Sequence, residues 1–191
     1  KNIKKIGHGD IFQNYEYIKN ECEKLGYFNK DTKKNLPQNI NSIGIITAPE
    51  GAAIQDILFV LKKNNFRGKV IIKRCVVQGI LCSRSVIDCM NYFDNWKDTH
   101  GKSVDIIMIA RGGGSFEDLM GFSDIGVVES IHKCRSFVIS AIGHEVDFML
   151  SDFAADIRAP TPSIGAEIIS TQQKKIFESI KNLNKSISKN T

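Results

Sequence analysis

The sequence predicts an α/β fold: a mostly parallel sheet with helices on both faces, plus a C-terminal helix starting a coiled coil. Two observations predict the sheet. Four short segments, SIGIIT (42–47), KVIIKRCVV (69–77), VDIIMIA (104–110) and FVISAI (137–142), are dense in Ile and Val without strict alternation, as in strands covered on both faces. Each is followed by a longer amphipathic stretch, as parallel crossovers require. A third observation predicts the C-terminal helix. Ile169, Ile176, Ile180, Leu183 and Ile187 fall at spacings of seven, four, three and four, the a/d spacing of a coiled coil. The other reading is a helix packed on its own domain, because only about two heptads are present where about three to four define a coiled coil.

Taken in order, Tyr15, Ile18, Cys22 and Leu25 recur at helical spacing and Gly26 is placed to stop that helix. Lys30 to Gln38 is polar, contains Pro37 and reads as a linker. The expected organisation is therefore an N-terminal helix and linker packed on the domain over 1–41, an α/β catalytic core over 42–162 and the C-terminal helix, the start of a coiled coil, over 163–191. Within the core, helices are expected at Ala52 to Lys63, Ser83 to Trp96, Asp124 to Lys133 and, shorter, around Phe148 to Ala155. Ser163, behind Pro162, is the expected N-cap of the last helix.

Apolar residues make up 42% of the 191 and charged residues 25%, which suits a globular domain and excludes disorder over most of the length. The 26 Lys and Arg against 21 Asp and Glu leave a formal charge of +5, compatible with a polyanionic partner without requiring one. No apolar run approaches the roughly 18 residues that span a bilayer, and KNIKKIGHGD lacks the apolar stretch of a signal peptide. A soluble, cytoplasmic protein with no membrane partner is expected. The five cysteines are odd in number, form no CxxC and mostly sit among apolar neighbours, so buried thiols in a reducing compartment are expected and a zinc site is not.

Right-handed crossovers place every strand-to-helix turn on one edge of a parallel sheet. The turns at 47–51, 111–115 and 143–147 are thus expected to converge at the carboxyl ends of the strands, where open α/β sheets bind ligands. In RGGGS (111–115), three glycines let the backbone turn its amides toward an anion and Arg111 adds a bidentate charged donor; a tight structural turn is the alternative. It is neither a Walker loop nor a GxGxxG. In GHEVD (143–147), His144 follows a glycine at a strand end and Asp147 lies one helical turn on, an acid/base unit with its orienting carboxylate; a histidine merely hydrogen-bonded at a strand end is the alternative. His8, His100 and His132 stand in polar or helical settings and are expected on the surface, and Glu145 is expected in solvent. Asp56 lies one turn into a helix, where a carboxylate ordinarily just favours the helix dipole.

These residues carry a resemblance. TAPEGAAIQDI (47–57), Gln78–Gly79, RGGGSFED (111–118), Gly143 to Asp147, and RAPTPS (158–163) with Ala166 and Glu167 occur in the order and approximate spacing of the catalytic domain of the exodeoxyribonuclease VII large subunit, from about Gly9 to Ser170. Departures are Ala48 and Glu50 where that family favours serine and threonine, Met120 where it has tryptophan, and Val146 where it has threonine. The resemblance implies a domain cut from a longer protein, with an N-terminal OB-fold before it and a long coiled coil after it. It implies hydrolysis of single-stranded DNA from either end, giving oligonucleotides with 5′-phosphates, and catalytic roles for Asp56, Arg111, His144 and Asp147. Thr47, Gly51, Gly112, Gly113, Gly114, Ser115, Arg158 and Thr161 are the expected phosphate-binding residues. No cofactor is obligatory on this reading, although Asp56 and Asp147 could hold Mg²⁺ through two carboxylate oxygens. The implied partners are single-stranded DNA and, through the extended C-terminal helix, the family's small subunit. A non-catalytic phosphate- or nucleotide-binding module is the alternative function, and an interaction scaffold with a vestigial site a third.

Overall fold

Residues 8–142 and 148–187 are described by the computed structural model of the chain. Five strands form one all-parallel sheet: β1 (Ser42–Thr47), β2 (Lys69–Arg74), β3 (Ile106–Arg111), β4 (Phe137–Ile142) and β5 (Ile157–Arg158), in the order β2-β1-β3-β4-β5. The helices are α1 (His8–Lys24), α2 (Ala52–Lys63), α3 (Cys82–Asn95), α4 (Phe116–Leu119), α5 (Ile125–Lys133), α6 (Leu150–Ala154) and α7 (Pro162–Ile187). Gly26, at φ +75°, takes the left-handed conformation that ends the first helix.

Successive residues of the central strands feed opposite cores, as the period of two dictates. Ile46, Ile107, Ile109, Val138 and Ile142 pack with Val86, Met90, Phe93, Val127 and Ile131 of α3 and α5. Ile43, Ile45, Met108, Ala110, Ile139 and Ala141 pack with Ile54, Ile57 and Leu61 of α2 and with Ala166 and Ile169 of α7. Two glycines set how closely the helices approach. A Cβ on Gly44 would lie 2.6 Å from the Phe93 ring, and one on Gly165 would lie 2.7 Å from the Met108 sulfur.

The structure corrects several sequence expectations. The second strand stops at Arg74: the Cys75 amide still donates to the Thr47 carbonyl, but the Val76 amide turns away to the Ser85 hydroxyl. This strand is a half-exposed edge, not a doubly covered one. Lys69 lies over the Trp96 ring and Lys73 over the Tyr92 ring, and such lysines keep an edge from pairing with another sheet. The two-residue β5 was not foreseen. Its pairing extends the sheet past β4, with Ser140 opposite Arg158, and two residues are too few to show a period. Asp124 is the cap of α5, accepting from the Gly126 amide at 2.8 Å, not its first residue. At the start of α7 the cap is Thr161, whose hydroxyl accepts from the Ile164 amide at 3.3 Å, not Ser163. Proline suits the first helical position because its missing N–H would have no partner there, which moves the cap one residue ahead of Pro162.

The 30–38 segment, read as a linker, is fastened to the core. The Lys33 ammonium donates to the Phe153 and Ala154 carbonyls at the end of α6, and the Lys34 amide donates to Asp156 at 2.7 Å. Asp156 also accepts from the Val138 amide at the start of β4.

α7 divides its apolar seam between two environments. Ile169 is fully buried against the sheet, Ile176 is half-buried and Ile180 is 48% exposed. The first seam residue therefore belongs to the domain core, and Ile180 does not. Ile169→Ala should lower stability by about 2–5 kcal/mol and Ile180→Ala by no more than about 0.5 kcal/mol, read as urea midpoints at equal slope. Equal losses at the two positions would mean that the helix is docked along its whole length.

Candidate functional site

Order 2-1-3-4-5 reverses direction between β1 and β3, and the crevice beyond the carboxyl ends of those two strands is where open parallel sheets leave room for a ligand. A pocket of about 510 Å³ lies there, lined by Thr47, Gly51, Ala52, Ala53, Arg111, Gly112 and Gly113 and walled on one side by Cys75 to Gln78. Two features of it attract anions. The first amides of α2, a helix of 12 residues capped by Gly51 with no side-chain cap bond, open onto the pocket. The other is Arg111.

The last residue of β3, Arg111 is only 5% exposed. Its Nη2 donates to the Gln78 side-chain oxygen at 3.3 Å and lies 3.9 Å from Asp118, a half-exposed carboxylate. Its Nη1 is buried and has no hydrogen-bond partner among the described residues. Gly114 passes directly over the guanidinium, and a Cβ there would overlap Nη1, Nη2 and Cζ. Only glycine allows that approach. Ser115 then caps α4 by accepting from the Asp118 amide. A buried cation with one orphaned N–H group costs free energy that an incoming anion would recover.

Thr47, Gly51, Arg111, Gly112 and Gly113, all expected from sequence, thus meet in one pocket, with Gly114 and Ser115 continuing its rim. Asp56 is exposed on α2, one turn beyond Ala52 and Ala53, and is not among the residues lining the pocket. His144 and Asp147 lie outside the described residues, as does the rest of 143–147. Ile142, the residue before that segment, is the register partner of Arg111. Among the described residues, no group of three or more His, Cys, Asp or Glu could hold a metal ion. Gln78 was quoted from sequence only as part of a motif, because a glutamine in a loop has no spacing that signals its role. Cys75 went unnoticed as a wall of the pocket. The neighbouring Cys89 thiol holds Cys75 below the usual thiol value, whereas burial pushes Cys82 up to about 12.

Arg158 and Thr161 stand on the far side of β4. Arg158 lies 3.5 Å from Asp152 and over the Phe148 ring at 4.0 Å, and Thr161 caps α7. Asp152 also accepts from the Ser140 hydroxyl at 2.5 Å and the Met149 amide at 3.0 Å, so α6, β4 and β5 are tied through one buried carboxylate.

The chain matches the family model described as exonuclease VII, large subunit, over residues 27–191. It is 44% identical over 164 residues to the exodeoxyribonuclease 7 large subunit of Shewanella halifaxensis, covering 86% of this chain and 36% of that protein. With the subunit from Clostridium beijerinckii the identity is 40% over 187 residues, covering 98% and 46%. With that from Chlamydia felis it is 42% over 176 residues, covering 91% and 31%. The chain belongs to the exonuclease VII large-subunit family. It spans less than half the length of these relatives.

Burial raises the Asp152 carboxyl above its ordinary value, against the opposing pull of Ser140, Met149 and Arg158. The folded chain therefore binds this proton more tightly than the unfolded chain does. The resulting contribution to stability is full below the unfolded value near 3.8 and is lost as pH rises through the raised folded value. Asp152→Asn, which cannot titrate, should flatten that part of the stability curve. Denaturant midpoints of both proteins between about pH 4 and pH 7 check this, and parallel curves would show that Asp152 is not the group responsible.

Proposed function

We propose that this domain carries the phosphodiester-hydrolysing site of a nuclease that degrades single-stranded DNA from either end and releases oligonucleotides with 5′-phosphates. The observation that carries the reading is the buried Arg111, with Nη1 unpartnered among the described residues, in a pocket shared with the N-terminus of α2. The named relatives, all exodeoxyribonuclease 7 large subunits, support it.

In this proposal the scissile phosphate occupies the pocket, and Arg111 with the amides of Gly112 to Ser115 stabilises the charge that grows on its non-bridging oxygens. Water attacks phosphorus, a P–O bond forms and the P–O3′ bond breaks. The water proton passes to a base and the leaving 3′-oxygen takes one up, leaving a 3′-hydroxyl and a 5′-phosphate. His144 is the proton carrier, oriented by Asp147 or Asp56. No divalent metal is obligatory in this scheme, and Asp56 and Asp147 are the residues that would hold Mg²⁺ if it takes part. Thr47 and Gly51 complete the phosphate-binding edge, and Arg158 and Thr161, beyond β4, are the further phosphate-binding residues of this proposal.

Cleavage of an end-labelled single strand by the full-length protein tests the reading. Arg111→Met, which keeps the buried stem but not the charge, should lower the rate about 100- to 1,000-fold, and His144→Ala at least about 100-fold, with little change in melting temperature. Phosphate-dependent binding of single strands with no cleavage by the wild type would favour a non-catalytic binding module.

The exposed later part of α7, with Phe177 44% and Ile180 48% exposed, supports a second part of the proposal: extended, this helix recruits the family's small subunit. Ile180→Glu with Leu183→Glu in the full-length protein should abolish co-purification of the small subunit while the catalytic domain stays folded. Undiminished co-purification would place the docking surface elsewhere.

A further inference from the structure

The loop between β2 and α3 is a wall of the Arg111 pocket, and it carries a feature that phosphate binding does not use. Val76 is 46% exposed, Leu81 65% and Ile80 98%. Single exposed apolar residues are ordinary on a protein surface, whereas three on one short loop beside an anion pocket form a patch that wants a partner.

The loop is fastened, so the exposure is imposed by its conformation. Its start is held by the Val76 amide donating to the Ser85 hydroxyl at 2.9 Å, and its end by the Cys82 amide donating to the Gly79 carbonyl at 3.0 Å. Midway, Gln78 accepts from Arg111. Cys75 and Cys82, at the two ends, are buried at 3% and 0%. Gly79, at φ +73° with open space where a Cβ would be, makes the left-handed turn that puts Ile80 into solvent.

Distance links the patch to the site. Val76, Val77 and Gln78 line the pocket, and two further residues of chain carry Ile80 no more than about 7 Å past Gln78. A ligand whose anionic group meets Arg111 thus has exposed apolar side chains one short step away. A single-stranded polynucleotide offers that combination: a phosphate and, attached through one sugar, a flat base whose faces are apolar. Aliphatic side chains can insert against bases in this way, and a contact with a base face is sequence-tolerant.

We propose that Ile80 and Leu81 form a ledge for the unstacked base next to the phosphate held by Arg111, so that the site measures base as well as backbone. The proposal rests on the nuclease reading above. Its test uses the full-length protein in its assembled form and a single-stranded oligothymidylate with one abasic nucleotide, mapping the frequency of cuts at every phosphate of the same strand. Contacts elsewhere in the protein then act equally on all positions. The wild type should cut at a phosphate flanking the abasic nucleotide about tenfold less often than elsewhere, a base contact of ordinary strength. Ile80→Ser with Leu81→Ser should erase that avoidance while still cutting the rest of the strand, and Ile80→Met alone should keep it.

Avoidance unchanged in the double variant, with cutting intact, would overturn the ledge and leave the nuclease reading standing. So would a fall in melting temperature with loss of all cutting, because it would show that another part of the protein covers the patch. No cutting of any single strand by the wild type would overturn the nuclease reading and the ledge with it.

Discussion

Parallel pairing of β1 with β3 is the constraint on which the site depends. The chain winds outward from β1 to β2 on one side and, through the long return over α3, to β3 on the other. At that junction the segments leaving the two strands diverge to opposite faces, α2 to one and α4 to the other, and the space between them is the pocket. Gly44 and Gly165 belong to the same constraint, because α3 and α7 can sit this close to the central strands only where no Cβ intervenes.

The two arginines at the carboxyl edge meet different surroundings. Arg158 lies against a buried carboxylate that also accepts from Ser140 and Met149, with the Phe148 ring beneath its guanidinium. Arg111 is more deeply buried, and among the described residues its one carboxylate partner, Asp118, is half-exposed at 3.9 Å. A fold gains nothing from an under-paired buried cation. In the proposed nuclease site this group would be part of a preorganised anion cradle, in which reorganisation has been met by folding and not at the moment of binding.

α7 lies against the domain over its first turns and is exposed farther on. Its first turns bring small or apolar residues, Gly165, Ala166 and Ile169, against Met108 and the sheet, and Gln173 reaches back to the Ile40 carbonyl. Farther on, Arg67 covers the Phe177 ring, and Ile180 projects from the domain. Helical periodicity does not mark where burial ends, because an a/d seam presents the same stripe to a sheet as it would to a partner helix.

By itself the sequence determined the number and direction of the core strands, the helices between them and the convergence of the 47–51 and 111–115 turns. Those features depend on local apolar density and on the handedness of crossovers, which act through neighbours in the chain. It also singled out Arg111 and its glycines, because a run of three glycines beside an arginine is rare enough to stand out. Only the tertiary structure decided that β2 is an exposed edge and that β5 exists, since edge position and a two-residue pairing are properties of the assembled sheet. The same holds for the cap at Thr161 and for the division of the α7 seam at Ile169, which depend on what each residue meets across space. Gln78 became visible as the partner of Arg111 for that reason as well: the two are 33 residues apart, and a hydrogen bond between a loop amide and a strand-end guanidinium leaves no periodic trace in a sequence.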